Sequence, residues 1–162
     1  MLKNMEVTIR AANSSDSKAI AAILEESGDK SLTNILTSVL KNLENYTVDE
    51  RHSILVAENP DGEVVGYIGV HWLQYMMASD NRGYVSELFV RQSARGRGIG
   101  RKLLEVVKEQ AIKRGCSRLM VVNVPNRITY PRRFFLKLGW EERAEVANFI
   151  LPLGKKTPAD LI

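Results

Sequence analysis

The segment LFVRQSARGRGIGRKLLE, residues 88–105, constrains the fold more than any other part of the sequence. It begins as a β-strand, passes through a turn rich in glycine and arginine, and continues with the apolar spacing of an amphipathic helix. Glycine lets backbone N–H groups approach a ligand closely, and the unpaired N–H groups at the start of a helix attract an anion. The segment therefore predicts a strand, an anion-binding loop and a helix in succession.

The spacing of the three glycines excludes two common nucleotide-binding loops. After Gly96 and Gly98, a dinucleotide fingerprint requires a third glycine where Arg101 stands, and a nucleotide P-loop requires Gly-Lys followed by Ser or Thr, where this chain has Gly100-Arg101-Lys102. The cluster still favours a phosphate ester. A solvated turn or an RNA contact is an alternative, although the net charge of +4 is far from the extreme of nucleic-acid-binding proteins.

The remainder of the chain predicts strands and helices in an order that suits one mixed sheet. Strands are expected over residues 6–10, 53–58, 63–73, 84–90, 118–124 and 140–151 (the last as a strand or hairpin), and helices after Asn13, over 31–44, from Ile99 to Gly115 and after Pro131. We expect a single α/β domain over residues 1–162, with helices on both sides of the sheet. Its core spans about residues 6–151, and residues 152–162 form a loose tail.

Composition narrows the environment and the chemistry. Apolar residues make up 44% of the chain, enough for a core, and Cys116 is the single cysteine, which excludes an internal disulfide and a cysteine-based zinc site. His52 and His71 stand apart in the sequence, so no metal site is expected. The first residues lack the apolar region of a secretion signal, and no apolar stretch is long enough to span a bilayer. These features predict a cytoplasmic protein without a membrane partner.

The loop resembles a known family. Arg95, Gly98 and Gly100 fit the pattern (Gln or Arg)-x-x-Gly-x-(Gly or Ala), which is the acetyl-CoA loop of the GNAT N-acetyltransferases. The stretches VTIRAANSSDSKAI, VAENPDGEVVGYIGV and FFLKLGWEE are similar to the family's first strand and helix, central hairpin and late aromatic segment. The resemblance runs from about Val7 to Leu151. It implies the GNAT fold and transfer of an acetyl group from acetyl-CoA to a primary amine of a small molecule or peptide, by direct attack through a tetrahedral intermediate.

The resemblance also implies the residues that hold acetyl-CoA. In the family the pyrophosphate lies on the loop and the pantetheine arm pairs with the main chain of the preceding strand, where N–H groups near Phe89 and Val90 would stabilise an oxyanion. An asparagine after the next strand and the late aromatic segment are further expected contacts. The expected set is Leu88, Phe89, Val90, Arg95, Gly96, Arg97, Gly98, Ile99, Gly100, Arg101, Asn126 and Phe135.

Two residues are predicted to move protons. Glu87 is expected on the strand face of Val85 and Phe89, where apolar neighbours would raise its pKa and suit it to act as a general base. An ion pair with an arginine, or recognition of a cationic substrate, is the alternative for Glu87. Many family members use a tyrosine as the acid for the leaving thiolate, but that position is Phe135 here. Tyr130 is the substitute candidate, and packing or capping is its alternative.

Two other functions compete with acetyl transfer. The missing tyrosine at Phe135 is compatible with an acyl-CoA-binding regulatory module of weak activity. The Arg-Gly cluster is compatible with an RNA-binding protein, although the chain lacks interleaved exposed aromatic residues. We expect no nucleic-acid partner and no metal. A homodimer is expected only because dimers are common in the family. The acceptor is expected to contact the early helices and residues 74–82.

Overall fold

The computed structural model describes residues 4–27, 34–46, 48–76, 80–122, 132–149, 151 and 153. These residues belong to two compact units, one ending at Val121 and the other beginning at Val122. Over these residues, the first unit contains a five-stranded sheet and three α-helices, and the second contains one short α-helix.

The sheet of the first unit is mixed and follows the order of the chain. Neighbouring strands are antiparallel from β1 to β4, and β5 joins β4 in parallel. The strands are β1 (Thr8–Ala11), β2 (His52–Glu58), β3 (Val64–Gln74), β4 (Asn81–Val90) and β5 (Cys116–Val121). The first four strands have short or helical connections, while the parallel β5 needs the long crossover that α3 provides.

Helices cover both faces of this sheet, as predicted. They are α1 (Ser17–Glu25), α2 (Ile35–Tyr46) and α3 (Ile99–Lys113). Ile20 and Ile23 of α1 and Leu43 of α2 join Tyr67 of β3 in one buried cluster. On the opposite face, Ile99 of α3 lies so close to β3 that a Cβ atom on Gly66 would be 3.3 Å from its Cγ2.

Local signals explain where these elements begin and end. Asn13 accepts a hydrogen bond from the Ser15 N–H and forms a capping box with Asp16, which starts the segment leading into α1. The turn between β2 and β3 closes with the Gly62 N–H donating to the Asn59 oxygen at 3.0 Å. Gly115 ends α3 with a φ of 67°.

The second unit differs from the prediction. Its helix α4 spans Arg132–Lys137 and stops before Gly139, which has a φ of 80°. Residues 140–149 contain turns and irregular backbone without a strand, so the expected last strand or hairpin is wrong over those residues. Within this unit Trp140 packs on Phe135, with ring centroids 5.1 Å apart. The backbone N–H of Trp140 donates to the backbone oxygen of Phe135 at 3.1 Å. The apolar pattern near Trp140 therefore reflects packing around α4.

Candidate active site

Half of strand β4 has an open edge. Parallel pairing with β5 ends where Val85 meets Val121, whereas pairing with β3 continues to Val90. Among the described residues, no strand pairs with residues 86–90 on the side of β4 away from β3. Strand edges present unpaired N–H and C=O groups, which can pair with an extended ligand.

The hydrogen-bond pattern shows which main-chain groups of β4 face the open edge. The Arg91 N–H donates to the Val65 oxygen of β3 at 2.9 Å. Antiparallel pairs alternate between hydrogen-bonded and non-hydrogen-bonded residues, so Phe89 also directs its main-chain groups toward β3. Leu88 and Val90 consequently direct theirs toward the open edge. Of these, the Val90 oxygen accepts the Arg95 Nε–H at 3.0 Å.

The loop after β4 presents a row of backbone N–H groups. Gly96 and Gly98 have φ values of 74° and 82°, in the left-handed region that favours glycine, and Gly98 is the residue from which α3 starts. The first intrahelical bond runs from the Lys102 N–H to the Gly98 oxygen at 3.1 Å. Within the described chain, the N–H groups of residues 96–101 have no hydrogen-bond acceptor. They form a concave site for an anion at a helix start, with the positive end of the helix dipole behind it.

Three contacts hold this loop in place. Glu26 at the end of α1 accepts the Gln92 N–H at 2.8 Å. The Met5 N–H donates to the Arg97 oxygen at 3.1 Å, and the Lys102 ammonium donates to the Met5 oxygen, also at 3.1 Å. Lys102 thus fixes the segment before β1. These anchors preorganise the row of N–H groups.

A β-bulge sets the direction of Glu87. Glu87 lies opposite Gly69, but Val85 lies opposite Val70, so Ser86 is an extra residue in β4. Because Gly69 and Val70 face opposite sides of the sheet, Glu87 shares a face with Phe89 and not with Val85. The expected shared face of Glu87 and Val85 is therefore wrong. Glu87 points to the side of α1 and α2.

The environment of Glu87 raises the pKa of its carboxyl group. A Cβ atom on Gly69 would lie 3.6 Å from Oε2 of Glu87, so the carboxylate occupies the space that this glycine leaves. Glu87 keeps an exposed surface, yet enough protein surrounds the carboxylate for desolvation to raise its pKa. The hydroxyl of Tyr67 opposes this shift and lowers the pKa. The raised pKa predicted for Glu87 is confirmed in direction.

Tyr67 is the neighbour of Glu87 on β3. Its hydroxyl is buried and lacks a hydrogen bond of full geometry within the described residues. Burial raises the pKa of Tyr67, and the charge of Glu87 raises it further, so the two groups interact electrostatically. Tyr67 therefore remains a neutral phenol beside the carboxylate.

Sequence reasoning missed a cluster of aromatic rings on the face of the sheet that carries Glu87. Register places His52 of β2 opposite His71 of β3, and the two imidazole rings meet edge to face at 4.7 Å between centroids. Tyr46 at the end of α2 lies 4.5 Å from His52 and 5.9 Å from His71, and Tyr84 of β4 lies 6.4 Å from His71. Only the register of the sheet could have revealed this cluster, because the four residues lie on separate elements.

The remaining predicted site residues lie in different environments. Ile99 is buried under the sheet, and the Arg101 side chain pairs with Glu105 at 2.9 Å on the surface of α3. Phe135 is buried within the second unit against Phe134 and Trp140. Asn126 and Tyr130 lie outside the described residues, and their expected roles remain predictions.

The described part of the chain lacks a metal-binding cluster and a membrane-spanning helix. It contains no group of three or more His, Cys, Asp or Glu side chains arranged to hold a metal ion. None of its helices combines the length and the apolar character needed to cross a bilayer.

Comparison with known proteins identifies the family. Residues 20–140 match the Acetyltransferase (GNAT) family, so the chain belongs to this family. An acetyltransferase of Agrobacterium fabrum is 34% identical over 93 residues, which are 56% of this chain and 64% of that protein. A thialysine N-epsilon-acetyltransferase of Bos taurus is 38% identical over 56 residues, which are 35% of this chain and 32% of the relative. These matches thus span less than two thirds of either relative.

A solved structure confirms the fold. The ribosomal-protein-alanine N-acetyltransferase of Brucella melitensis superposes with a TM-score of 0.73 at 21% identity, over 91% of this chain and all of that one. At this identity the likeness supports the GNAT architecture alone. The mixed sheet with helices on both faces, predicted from the sequence, is confirmed.

Proposed function

We propose that this chain transfers an acetyl group from acetyl-CoA to a primary amine of a small molecule or peptide. The observation that carries the proposal is the combination of an open edge on β4 with a row of free N–H groups directly after it. The family normally uses acetyl-CoA. An extended amide chain that ends in a pyrophosphate fits this pair of features, since the edge suits the amides and the helix start suits the anion.

The backbone N–H groups of the loop could contact the cofactor directly, with no side chain between the backbone and the ligand. The N–H groups of residues 96–101 would bind the pyrophosphate, and the edge groups of Leu88 and the N–H of Val90 would bind the pantetheine amides. Phe89, whose main chain pairs with β3, would contribute its side chain. When bound, acetyl-CoA supplies the activated acetyl thioester.

Glu87 would accept the proton of the acceptor amine. An ammonium has no lone pair for attack, and a carboxylate with a raised pKa binds a proton more readily near neutral pH. The amine nitrogen then bonds to the carbonyl carbon and the bond from carbon to sulfur breaks. An edge N–H of β4 would donate to the carbonyl oxygen, a contribution that reaches about 3 kcal/mol for one donor in known enzymes.

The leaving thiolate does not require a protein acid in this proposal. Phe135 has no proton to give, and a thiol has a pKa far below that of an alcohol, so the thiolate leaves readily. Water can protonate it after departure. Tyr130 is kept as a candidate acid, as the sequence suggested.

The acceptor is proposed at the level of its reacting group. One relative is named for acetylation of an ε-amino group, which supports a primary amine on a flexible chain. The position of Glu87 on the face of α1 and α2 supports approach of the amine from that side.

Measuring acetyl-CoA affinity and CoA release with a panel of primary amines tests this proposal. We expect acetyl-CoA binding and amine-dependent release of CoA. A variant with an altered loop should lose both, because it should no longer bind acetyl-CoA. Tight binding without release for any amine would instead support the regulatory module. Failure to bind acetyl-CoA at millimolar concentration would contradict the proposal.

A further inference from the structure

The rings of Tyr46, His52, His71 and Tyr84, here called the ring cluster, lie on the face of the sheet that carries Glu87. His71 is two residues from Gly69 along β3 and therefore shares its face, and the Glu87 carboxylate lies over Gly69. A molecule that brings an amine to Glu87 from this side would meet the rings next.

The ring cluster is accessible although its members pack against each other. All four residues are half-buried, which leaves part of each residue in contact with solvent. Aromatic rings offer flat apolar area and electron-rich faces. Such faces attract alkyl chains and ammonium groups.

The charges around His71 favour a cation. Burial lowers the pKa of His71 and the neighbouring His52 lowers it further, which favours the neutral imidazole. Glu87 lies on the same face of the sheet as His71, and Asp49 Oδ2 lies 3.5 Å from His52 Nε2. The Arg51 guanidinium is bound to Asp49 at 2.8 Å. The carboxylates of Glu87 and Asp49, with the charge of Arg51 held by Asp49, disfavour anionic acceptors.

We propose that the ring cluster binds the carbon chain next to the reacting nitrogen and selects an unbranched alkylamine over sugar amines and acceptors that carry a phosphate. The inference rests on the proposed acetyl transfer and specifies the class of its acceptor. His71 is the central residue because it contacts the other three rings.

Steady-state kinetics with butylamine, glucosamine and glucosamine 6-phosphate test the selection. His71→Leu removes the ring, and His71→Phe keeps a ring of similar shape and serves as the matched control. We expect His71→Leu to raise the KM for butylamine by about fivefold to tenfold, with kcat within about twofold and an unchanged KM for acetyl-CoA. His71→Phe should restore the KM. Both sugar amines should be poor substrates of the wild type, and their kcat/KM should be the same in both variants.

A binding measurement independent of turnover uses the two histidines. The chain has only two, so the proton spectrum contains two sets of imidazole resonances. Titration of the CoA-bound protein with butylamine should shift both sets, whereas butanol, with the same chain length and no charge, should shift them less.

The outcomes separate the two proposals. Release of CoA without histidine shifts, or with the same KM for butylamine in His71→Leu, would overturn the role of the ring cluster and leave acetyl transfer intact. Histidine shifts without CoA release for any amine would refute acetyl transfer and support amine recognition by the rings. A preference for glucosamine 6-phosphate over butylamine would also overturn the assignment.

Discussion

Substitution of Gly98 by alanine isolates the contribution of the loop to cofactor binding. Gly98 has a φ of 82°, and the Cβ of an alanine there would lie 3.2 Å from Oδ1 of Asn4, the mobile end of a side chain that can move aside. The main structural penalty is therefore the left-handed backbone, about 1–2 kcal/mol for a residue with a Cβ. For a chain of this length that corresponds to a fall in melting temperature of about 2–8 °C.

Gly62 offers a matched control. Its φ is also 82°, and a Cβ there would have no neighbour within 4 Å. Gly62→Ala should therefore lower the melting temperature by a similar amount. Gly62 lies in the turn between β2 and β3, away from the loop that follows β4. The affinity of the Gly62→Ala protein for acetyl-CoA should therefore equal that of the wild type.

Cofactor affinity distinguishes the two variants. A hydrogen bond to a charged group contributes about 1.5–3 kcal/mol, and relaxation of Gly98 toward negative φ would turn at least one N–H away from the pyrophosphate. We expect the Kd for acetyl-CoA, measured by calorimetry, to rise by about tenfold to a hundredfold in Gly98→Ala. Equal Kd values for the wild type and Gly98→Ala, with equal losses of melting temperature in both variants, would refute the assignment of the loop.

Three further predictions concern single side chains. Glu87→Gln should remove the acidic limb of the pH–rate profile, which in the wild type should have its midpoint above the ordinary glutamate range because the pKa of Glu87 is raised; an unchanged profile would exclude Glu87 as the base. Tyr67→Phe should move that midpoint to higher pH, since the lost hydroxyl lowers the pKa of Glu87, and stability should hardly change because the hydroxyl lacks a full hydrogen bond; a shift to lower pH would contradict this arrangement. Phe135→Tyr should lower the melting temperature and leave kcat unchanged, because burial of an unpartnered hydroxyl costs about 1–3 kcal/mol and Phe135 is only 8% exposed; a clear gain in kcat would instead show that the thiolate needs an acid.

Features set by local chemistry could be predicted from the sequence. The turn at Asn59–Gly62 and the helix start after Gly98 depend on glycine conformations and unpaired N–H groups within a few residues. The open edge of β4 was implied by the family resemblance, and the pairing with β5 that ends at Val85 agrees with it.

Features set by register could not be predicted in this way. The bulge that turns Glu87 away from the face of Val85 adds one residue without a distinctive sequence signal, since Ser86 is an ordinary strand residue. The meeting of His52 and His71 depends on a second irregularity. Glu58 pairs with Val64 but Ala57 pairs with Gly66, and without this shift His52 would lie opposite Val70. Neither displacement follows from the alternation of apolar residues.

The extra residue in β4 divides this strand into two halves that can change separately. The half before Ser86 follows one alternation and packs against both neighbouring strands, while the half after it follows the opposite alternation. Deletion of Ser86 would restore a continuous alternation in which Val85 and Glu87 become adjacent and still lie opposite Val70 and Gly69, so each side chain would keep its face. Protein engineers could therefore shorten β4 at Ser86 without moving the Glu87 carboxylate into the interface with α3.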